Sequence, residues 1–512
     1  MDKIFSWLFE KKLRFFIVLF FITLFLRLSS FYYTFLDVDE SQFAGFAHVL
    51  MDGGLPYRDS VDTKPPLIYL MYAACFFVFG KYNMTGVHGL SLLIAFGVSI
   101  TLYRLAKENG EERGGFFAAL FFAVFSTAYL PKFIATSITS VMVLPLALSV
   151  YFWFKGERNL SLFHDALAGF CVGVAFLLKY QAGIQLLIFL LYLLFSLKLK
   201  KEEITTAVIR GLVLFGGFAL PVGIIFGILW RIGVWPDFVR WSLLGSIKYI
   251  QAGAETIPFF KNLALRGGAF ILSTALIWVL AGSHFRGRNF SRSPFRLFLL
   301  IWFVLTLIPV AMGGRFYGHY FIQLLPPLCL MASCTASQQW NKQTLQKVGI
   351  FTLIPALFFW LLRVDQKSID NLFPDDQLFE QQAIGEWLKK NTKPEETLFI
   401  WGFATAIYFH AERKPASRFL WTDLFTGKVP GSEKSNKPDF DTRQYAVPEA
   451  WEALWEDFKN HPPTYFVDTA PANIHNYKKY PVISYPSLYR FLQEQYRFWK
   501  NGNGCLIYKR KM

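Results

Sequence analysis

The chain has 512 residues, of which 54% are hydrophobic and 17% charged; a soluble protein of that length would lack the charge to coat its surface. Apolar residues come in blocks, such as FFIVLFFITLFLRL from Phe15 and VLFGGFALPVGIIFGILW from Val213, close to the ~20 residues a helix needs to cross ~30 Å of hydrocarbon. The net charge of +16 does not mark a nucleic-acid binder, because much of it sits in short loops between these blocks, as the positive-inside rule requires. Five cysteines (Cys75, Cys171, Cys329, Cys334, Cys505) show neither a disulfide framework nor metal-ligand spacing.

In chain order, the first apolar run follows Lys11, Lys12 and Arg14. It is longer than a signal-peptide core, contains Arg27 and lacks a small-residue cleavage pattern, so a retained first span is expected. Twelve apolar segments follow one another, at about 15–34, 66–80, 86–105, 114–131, 134–154, 165–179, 182–197, 210–231, 263–281, 297–313, 320–337 and 347–362. If all twelve crossed, LKLKK near Lys200 would lie opposite the N-terminal KKLR, against the charge rule. Treating 66–80 as non-spanning puts KKLR, LKLKK and HFRGRNFSRSPFR inside. The loops at 35–64, 232–262 and 314–320 and the C-terminal region then lie outside. The expected architecture is a polytopic α-helical membrane protein of about 11–13 spans over residues 1–362, with a small α/β domain over 363–512. Its expected home is a bacterial cytoplasmic (inner) membrane, with the N-terminus cytoplasmic.

The first outer loop holds the densest chemistry. Asp37, Asp39 and Glu40 follow the end of the first span, where acids are costly unless solvated, paired or functional. SQFAGFAHVLMD reads as a short amphipathic helix lying on the membrane, Gly53, Gly54 and Pro56 turn the chain, and Lys64-Pro65-Pro66 returns a cation to the same boundary. Such a kit suits a sugar leaving with a phosphate. The leaving group needs positive charge rather than a proton, and the attacking hydroxyl needs a carboxylate base. Two readings of the acids remain open at this point, a solvated interfacial cap and a catalytic pair. Asp59 and Asp62 are loop charges or part of an acceptor groove. Further along, Lys179 stands between two apolar segments, and Arg315 and His319 lie four residues apart, on one face if helical; each is an anion contact or a snorkelling interfacial residue. His48, His88 and His164 are isolated, as packed histidines are. No HExxH, paired CxxC, P-loop or GxSxG occurs.

Beyond residue 363, helix-like and strand-like stretches alternate: QQAIGEWLKKN then TLFIWG, WEALWEDFKN then TYFVDT, PSLYRFLQEQYRFW then GCLIYKR. This predicts a small layered α/β domain; GKVPGSEKSNKPDF reads as an exposed loop.

D-E after the first span, then G-x-P-Y-R-D and K-P-P, together with GGRFYGHYFIQLLPPLCLMA and WGFATAIYFHAERKPASRF, resemble the GT-C glycosyltransferases. The nearest group is the protein O-mannosyltransferase-like (family 39) one, with bacterial lipid A aminoarabinose and galacturonic acid transferase relatives. The resemblance implies an inverting glycosyltransferase that moves a sugar from a polyprenyl-phosphate carrier to a hydroxyl at the outer membrane face. It makes Asp39 the catalytic base, with Glu40 its partner in positioning the acceptor or holding the loop. It places Lys64 on the donor phosphate, with Arg315, His319 and Lys179 proposed as further phosphate-side contacts. Asp37, Tyr57, Arg58 and Asp59 fall to the acceptor side or the loop. Thr139 and Ser140 stand where many relatives carry a second acid, so the acceptor is not transferable from a relative, and an obligatory divalent metal is not expected. Two competing readings are a transporter or flippase for a lipid-linked glycan and a glycan ligase or polymerase. A transporter would show internal repeats and mid-membrane charges, and a ligase a large late outer loop; neither pattern is evident.

Overall fold

The structure, a computed structural model, describes residues 12–128, 133–198, 203–284, 294–338, 350 and 377–511. The membrane part is a helix bundle. It comprises α1 (Lys12–Arg27), α2 (Val38–Met51), α3 (Leu67–Phe79), α4 (Thr85–Glu108), α5 (Glu112–Phe125), α6 (Ile138–Asn159), α7 (Leu162–Leu178), α8 (Ile184–Lys198) and α9 (Ile204–Arg231). It continues with α10 (Gly245–Thr256), α11 (Phe259–Ser273), α12 (Ala275–His284), α13 (Pro294–Ala311) and α14 (Leu325–Gln338). Among the described residues seven helices are long and apolar enough to cross a membrane, or eight if α11 and α12 form one bent span. The expected twelfth segment, 347–362, lies outside the described residues apart from Ile350, as does the 363 boundary.

The segment expected not to span is too short to cross: the 13 residues of α3 rise ~20 Å at 1.5 Å each, less than the ~30 Å of hydrocarbon. The apolar run 263–281 is not one helix, because α11 and α12 meet at 82°. The loop 232–262 is itself largely helical, through Trp235–Phe238, a π turn at Val239–Leu244 and α10.

Small residues set the tightest contact in the bundle. A side chain at Gly169 or Gly173 of α7 would meet the backbone oxygens of Leu214 and Phe218 on α9 at 1.9 and 2.5 Å, so only glycine lets the two helices approach this closely.

The C-terminal region folds as expected in outline: α15 (Leu378–Asn391), β1 (Leu398–Trp401), α16 (Ala406–Ala411), α17 (Pro448–Asn460), β2 (Tyr465–Asp468), α18 (Pro486–Gln495), β3 (Tyr496–Gly502) and β4 (Cys505–Arg510). The sheet order is β1-β2-β4-β3, with β1 parallel to β2 and the rest antiparallel. The stretch YRFW, expected to continue a helix, is strand β3. Its register against β4 through Tyr496–Arg510 and Phe498–Tyr508, together with the turn at Asn503 and Gly504, both with positive φ, makes it one arm of a hairpin.

The helix expected on the membrane surface is instead interior. Every residue of α2 from Glu40 to His48 is buried, because the C-terminal region covers the side that sequence alone leaves open. Ser41 Oγ lies 2.6 Å from Thr405 Oγ1, and a Cβ at Gly45 would touch Leu420. Both α3 and α16 pack on it. One buried core therefore runs from α3 through α2 into the sheet.

Candidate active site at the membrane boundary

Asp37 caps α2: its side chain accepts from the Asp39 backbone N–H, and its own backbone is extended, as a helix N-cap requires. Asp39 is in the first turn, at the positive end of the helix, and its side chain is 27% exposed. His319 arrives from the segment after α13, with Nε2 3.9 Å from Asp39 Oδ2. Asp37, Asp39 and His319 bring one ligand atom each to within 4.8 Å of one another. Two carboxylates and an imidazole at this spacing could hold a divalent cation such as Zn²⁺ or Mn²⁺.

Lys64 is the cation of the same loop. Its Nζ lies 3.1 Å from both carboxylate oxygens of Asp62, 3.4 Å from Gln42 Oε1, and over the rings of Phe43 and Trp421. Its backbone carbonyl accepts from Tyr57 OH and Ser242 Oγ. Burial works to lower its pKa, but Asp62 and then Asp39 outweigh that, holding the ammonium above the ordinary lysine value. Asp62, left between two roles by the sequence, is the buried counter-ion of Lys64 and accepts from Tyr69 OH at 2.6 Å. Lys179 sits at the break after α7, its Nζ 3.9 Å from the Tyr320 ring centroid.

These groups line one cavity of about 2030 Å³ whose wall includes Asp37, Asp39, Lys64, Lys179, Arg315 and His319. That is more than the ~300–1,000 Å³ typical of a single small-ligand site, so there is room for two substrates. Its far wall, from Phe403, Trp421, Asp423 and Lys428 of the C-terminal region, gave no signal in sequence, since nothing local says that residues nearly 400 positions on face the first loop.

Several expected site residues do other work. Glu40, next to Asp39, is fully buried; its oxygens accept from the backbone N–H groups of Leu36 (2.7 Å) and Thr136 (2.6 Å), with His88 Nε2 3.3 Å away. Of the two roles open to it, it takes the holding of the loop. Arg315 is also buried. It donates to the carbonyls of Pro430 and Tyr249, both at 3.1 Å, and stacks 3.7 Å over Tyr249. It is a strut between α10 and the C-terminal region more than a fork offered to phosphate. Gly253 leaves it room, since a Cβ there would lie 2.2 Å from its Nη1. Arg315 and His319 do not share a helical face, because Phe316, at φ 47°, turns the chain between them. Tyr57, Arg58 and Asp59 do not line the cavity. Tyr57 is buried, Arg58 pairs with Asp237, and Asp59 accepts from Leu55 N. Thr139 lines the cavity, whereas Ser140 Oγ donates to the carbonyls of Ala135 and Ser137.

Residues 63–220 match the profile of the family described as dolichyl-phosphate-mannose-protein mannosyltransferase. No curated protein is significantly similar to the chain in sequence. Among solved structures, ArnT from Cupriavidus metallidurans bound to undecaprenyl phosphate superposes with a TM-score of 0.62 at 13% identity, over 97% of this chain and 96% of that one. The Archaeoglobus fulgidus oligosaccharyltransferase tethered to an acceptor peptide with the NVT sequon gives 0.54 at 14% identity, over 99% of this chain and 74% of that one. The same archaeal enzyme, AglB, in complex with an inhibitory peptide and a dolichol-phosphate, gives 0.51 at 14% identity, over 97% and 74%. The chain is thus a multi-span membrane protein that shares the fold of ArnT and of the archaeal oligosaccharyltransferase, and its residues 63–220 match the dolichyl-phosphate-mannose-protein mannosyltransferase profile.

Proposed function

We propose that the protein is an inverting glycosyltransferase that moves a sugar from a polyprenyl-phosphate carrier to an acceptor hydroxyl at the outer face of a membrane. The observation that carries this reading is a half-exposed carboxylate, Asp39, in one cavity with a fixed ammonium, Lys64, at the membrane boundary. Asp39 takes the proton of the acceptor hydroxyl as its oxygen bonds to the anomeric carbon. The bond from that carbon to the phosphate oxygen breaks from the opposite side, and the electron pair leaves with the phosphate. Lys64 and Lys179 face the charge that develops there; His319 orients Asp39. The carriers bound to the structural neighbours, undecaprenyl phosphate and dolichol-phosphate, support a lipid-phosphate donor. The positive loops favour a cytoplasmic N-terminus and an extracytoplasmic C-terminal region, in keeping with a bacterial inner membrane.

The test is transfer of radiolabelled sugar from a panel of polyprenyl-phosphate sugars into membranes, comparing wild type with Asp39→Asn. Label moved by wild type and lost in the variant is the expected result. Equal transfer by both, or none from any lipid-phosphate sugar, would remove the enzyme reading and turn attention to transport.

A further inference from the structure

The part of the cavity wall that the C-terminal region supplies has a different chemistry. Trp421 and Phe403 are half-buried, with ring centroids 6.2 Å apart, and the Lys64 ammonium lies 6.0 Å from Trp421. The aromatic residues therefore begin beside Lys64. Phe403 meets His475 edge-on at 5.4 Å, and Lys428 Nζ stands 5.6 Å from Phe403 and 5.2 Å from Tyr477. Beneath them lies Asp423, only 6% exposed. One of its oxygens accepts from Tyr477 OH at 2.6 Å; the other, Oδ2, is buried without a hydrogen-bond partner, in a residue that borders the cavity. A buried carboxylate oxygen left unsatisfied is costly, and hydroxyl groups of a ligand would satisfy it.

The backbone here is unusual too. Asn473, His475 and Asn476 all have positive φ, at 56°, 49° and 64°, a conformation that side chains disfavour and that concentrates at functional sites. Two side chains at the start of α15 hold the turn: Gln377, its N-cap residue, accepts from His475 N, and Gln381 contacts the His475 ring. The turn thus presents His475 and Asn476 to the cavity in a fixed pose.

We propose that this wall is a carbohydrate subsite, in which a sugar ring of the acceptor stacks on Trp421, with Phe403 inclined at 73° beside it, and hydrogen-bonds through its hydroxyls to Asp423, Asn476 and Lys428. An aromatic face beside a carboxylate and an amide suits a pyranose, which has an apolar face and a hydroxyl rim; an acyl chain, which has no donor, would leave Asp423 Oδ2 unsatisfied. The proposal rests on the transferase reading only in calling the bound sugar the acceptor.

The experiment uses the full-length protein in nanodiscs and a panel of fluorescently labelled soluble oligosaccharides, neutral and acidic. At least one member should bind, and Asp423→Asn and Asn476→Gly should each weaken it about tenfold or more; Asn476 is exposed and at φ 64°, where glycine is tolerated, so its variant tests the side chain without disturbing the core. Binding is read with no sugar donor present, so a failed transfer assay and a failed subsite give different patterns. Binding by none of the panel, unchanged affinity in both variants, or displacement of the oligosaccharide by a Ser/Thr peptide or a short-chain lipid would overturn the proposal.

Discussion

The two walls of the cavity solve different problems. The membrane-side wall gathers charge into close pairs: Asp39 with His319, and Lys64 with Asp62. Each side chain there is fixed by a backbone feature, a helix N-cap in one case and a carbonyl clamped by Tyr57 and Ser242 in the other. The domain-side wall sets inclined aromatic rings beside a turn of positive φ, with the buried acid Asp423 bordering them. Charge at fixed positions stabilises a change of charge during a reaction, whereas flat rings and hydrogen-bonding edges select a shape. Chemistry and recognition are thus divided between two parts of the chain that meet only in the folded protein.

Substitutions on either side should separate the two roles. The largest effect is expected from Asp39→Asn, which removes the base and keeps the shape; transfer should fall ~10²–10⁴-fold, with an unchanged thermal midpoint. Next is Lys64→Met, with a loss of order 10²-fold in kcat. A rise in donor KM alone would instead assign Lys64 to binding that is equal in ground and transition states.

The domain that carries the recognition wall should show a pH-dependent stability. Burial pushes the Asp468 carboxyl, at the end of β2, up to about 7, against roughly 4 in an unfolded chain. The folded state holds the proton over that interval, so its stability is full below about pH 4 and declines as pH rises to about 7. Asp468→Asn should therefore raise the melting temperature at pH 8, by the equivalent of a few kcal/mol at most, and leave it unchanged at pH 4.

Glu40→Gln sharpens the contrast within the membrane-side wall. It sets an amide N–H₂ against a backbone N–H and should cost about 1–3 kcal/mol of stability, read as a lower thermal midpoint, while the folded fraction keeps its transfer rate. A variant as inactive as Asp39→Asn at full stability would give Glu40 a direct part in the reaction. The smallest effect is expected from chelation. Transfer by EDTA-treated protein should stay within about twofold if lysines alone face the phosphate. Loss of activity restored by Mn²⁺ would assign an ion to Asp37, Asp39 and His319.

Sequence exposed the parts of this molecule governed by local rules. Apolar runs marked the helices, the charge of the short loops suggested their sidedness, and period and turn residues marked most of the small domain. What it could not show depended on distant partners. Nothing in SQFAGFAHVLMD says that α2 is covered on every side, because its cover arrives with Thr405 and Leu420. Asp39 and Glu40 are neighbours of the same chemical type, and only the fold turns one to the cavity and the other onto Leu36 and Thr136. The sequence leaves Asp37 and Asp62 each between an acceptor-side role and a loop charge, since the helix cap and the ion pair that give them roles exist only once the loop is closed.

The burial of α2 beneath the C-terminal region also sets an order in time. Residues 37–64 are among the first made, yet Ser41 waits for Thr405, Val61 N for the carbonyl of Arg418, and Arg315 for that of Pro430. Until residues 405–430 are in place, the loop that carries Asp39 has no roof, and the cavity closes around it only when those distant partners arrive.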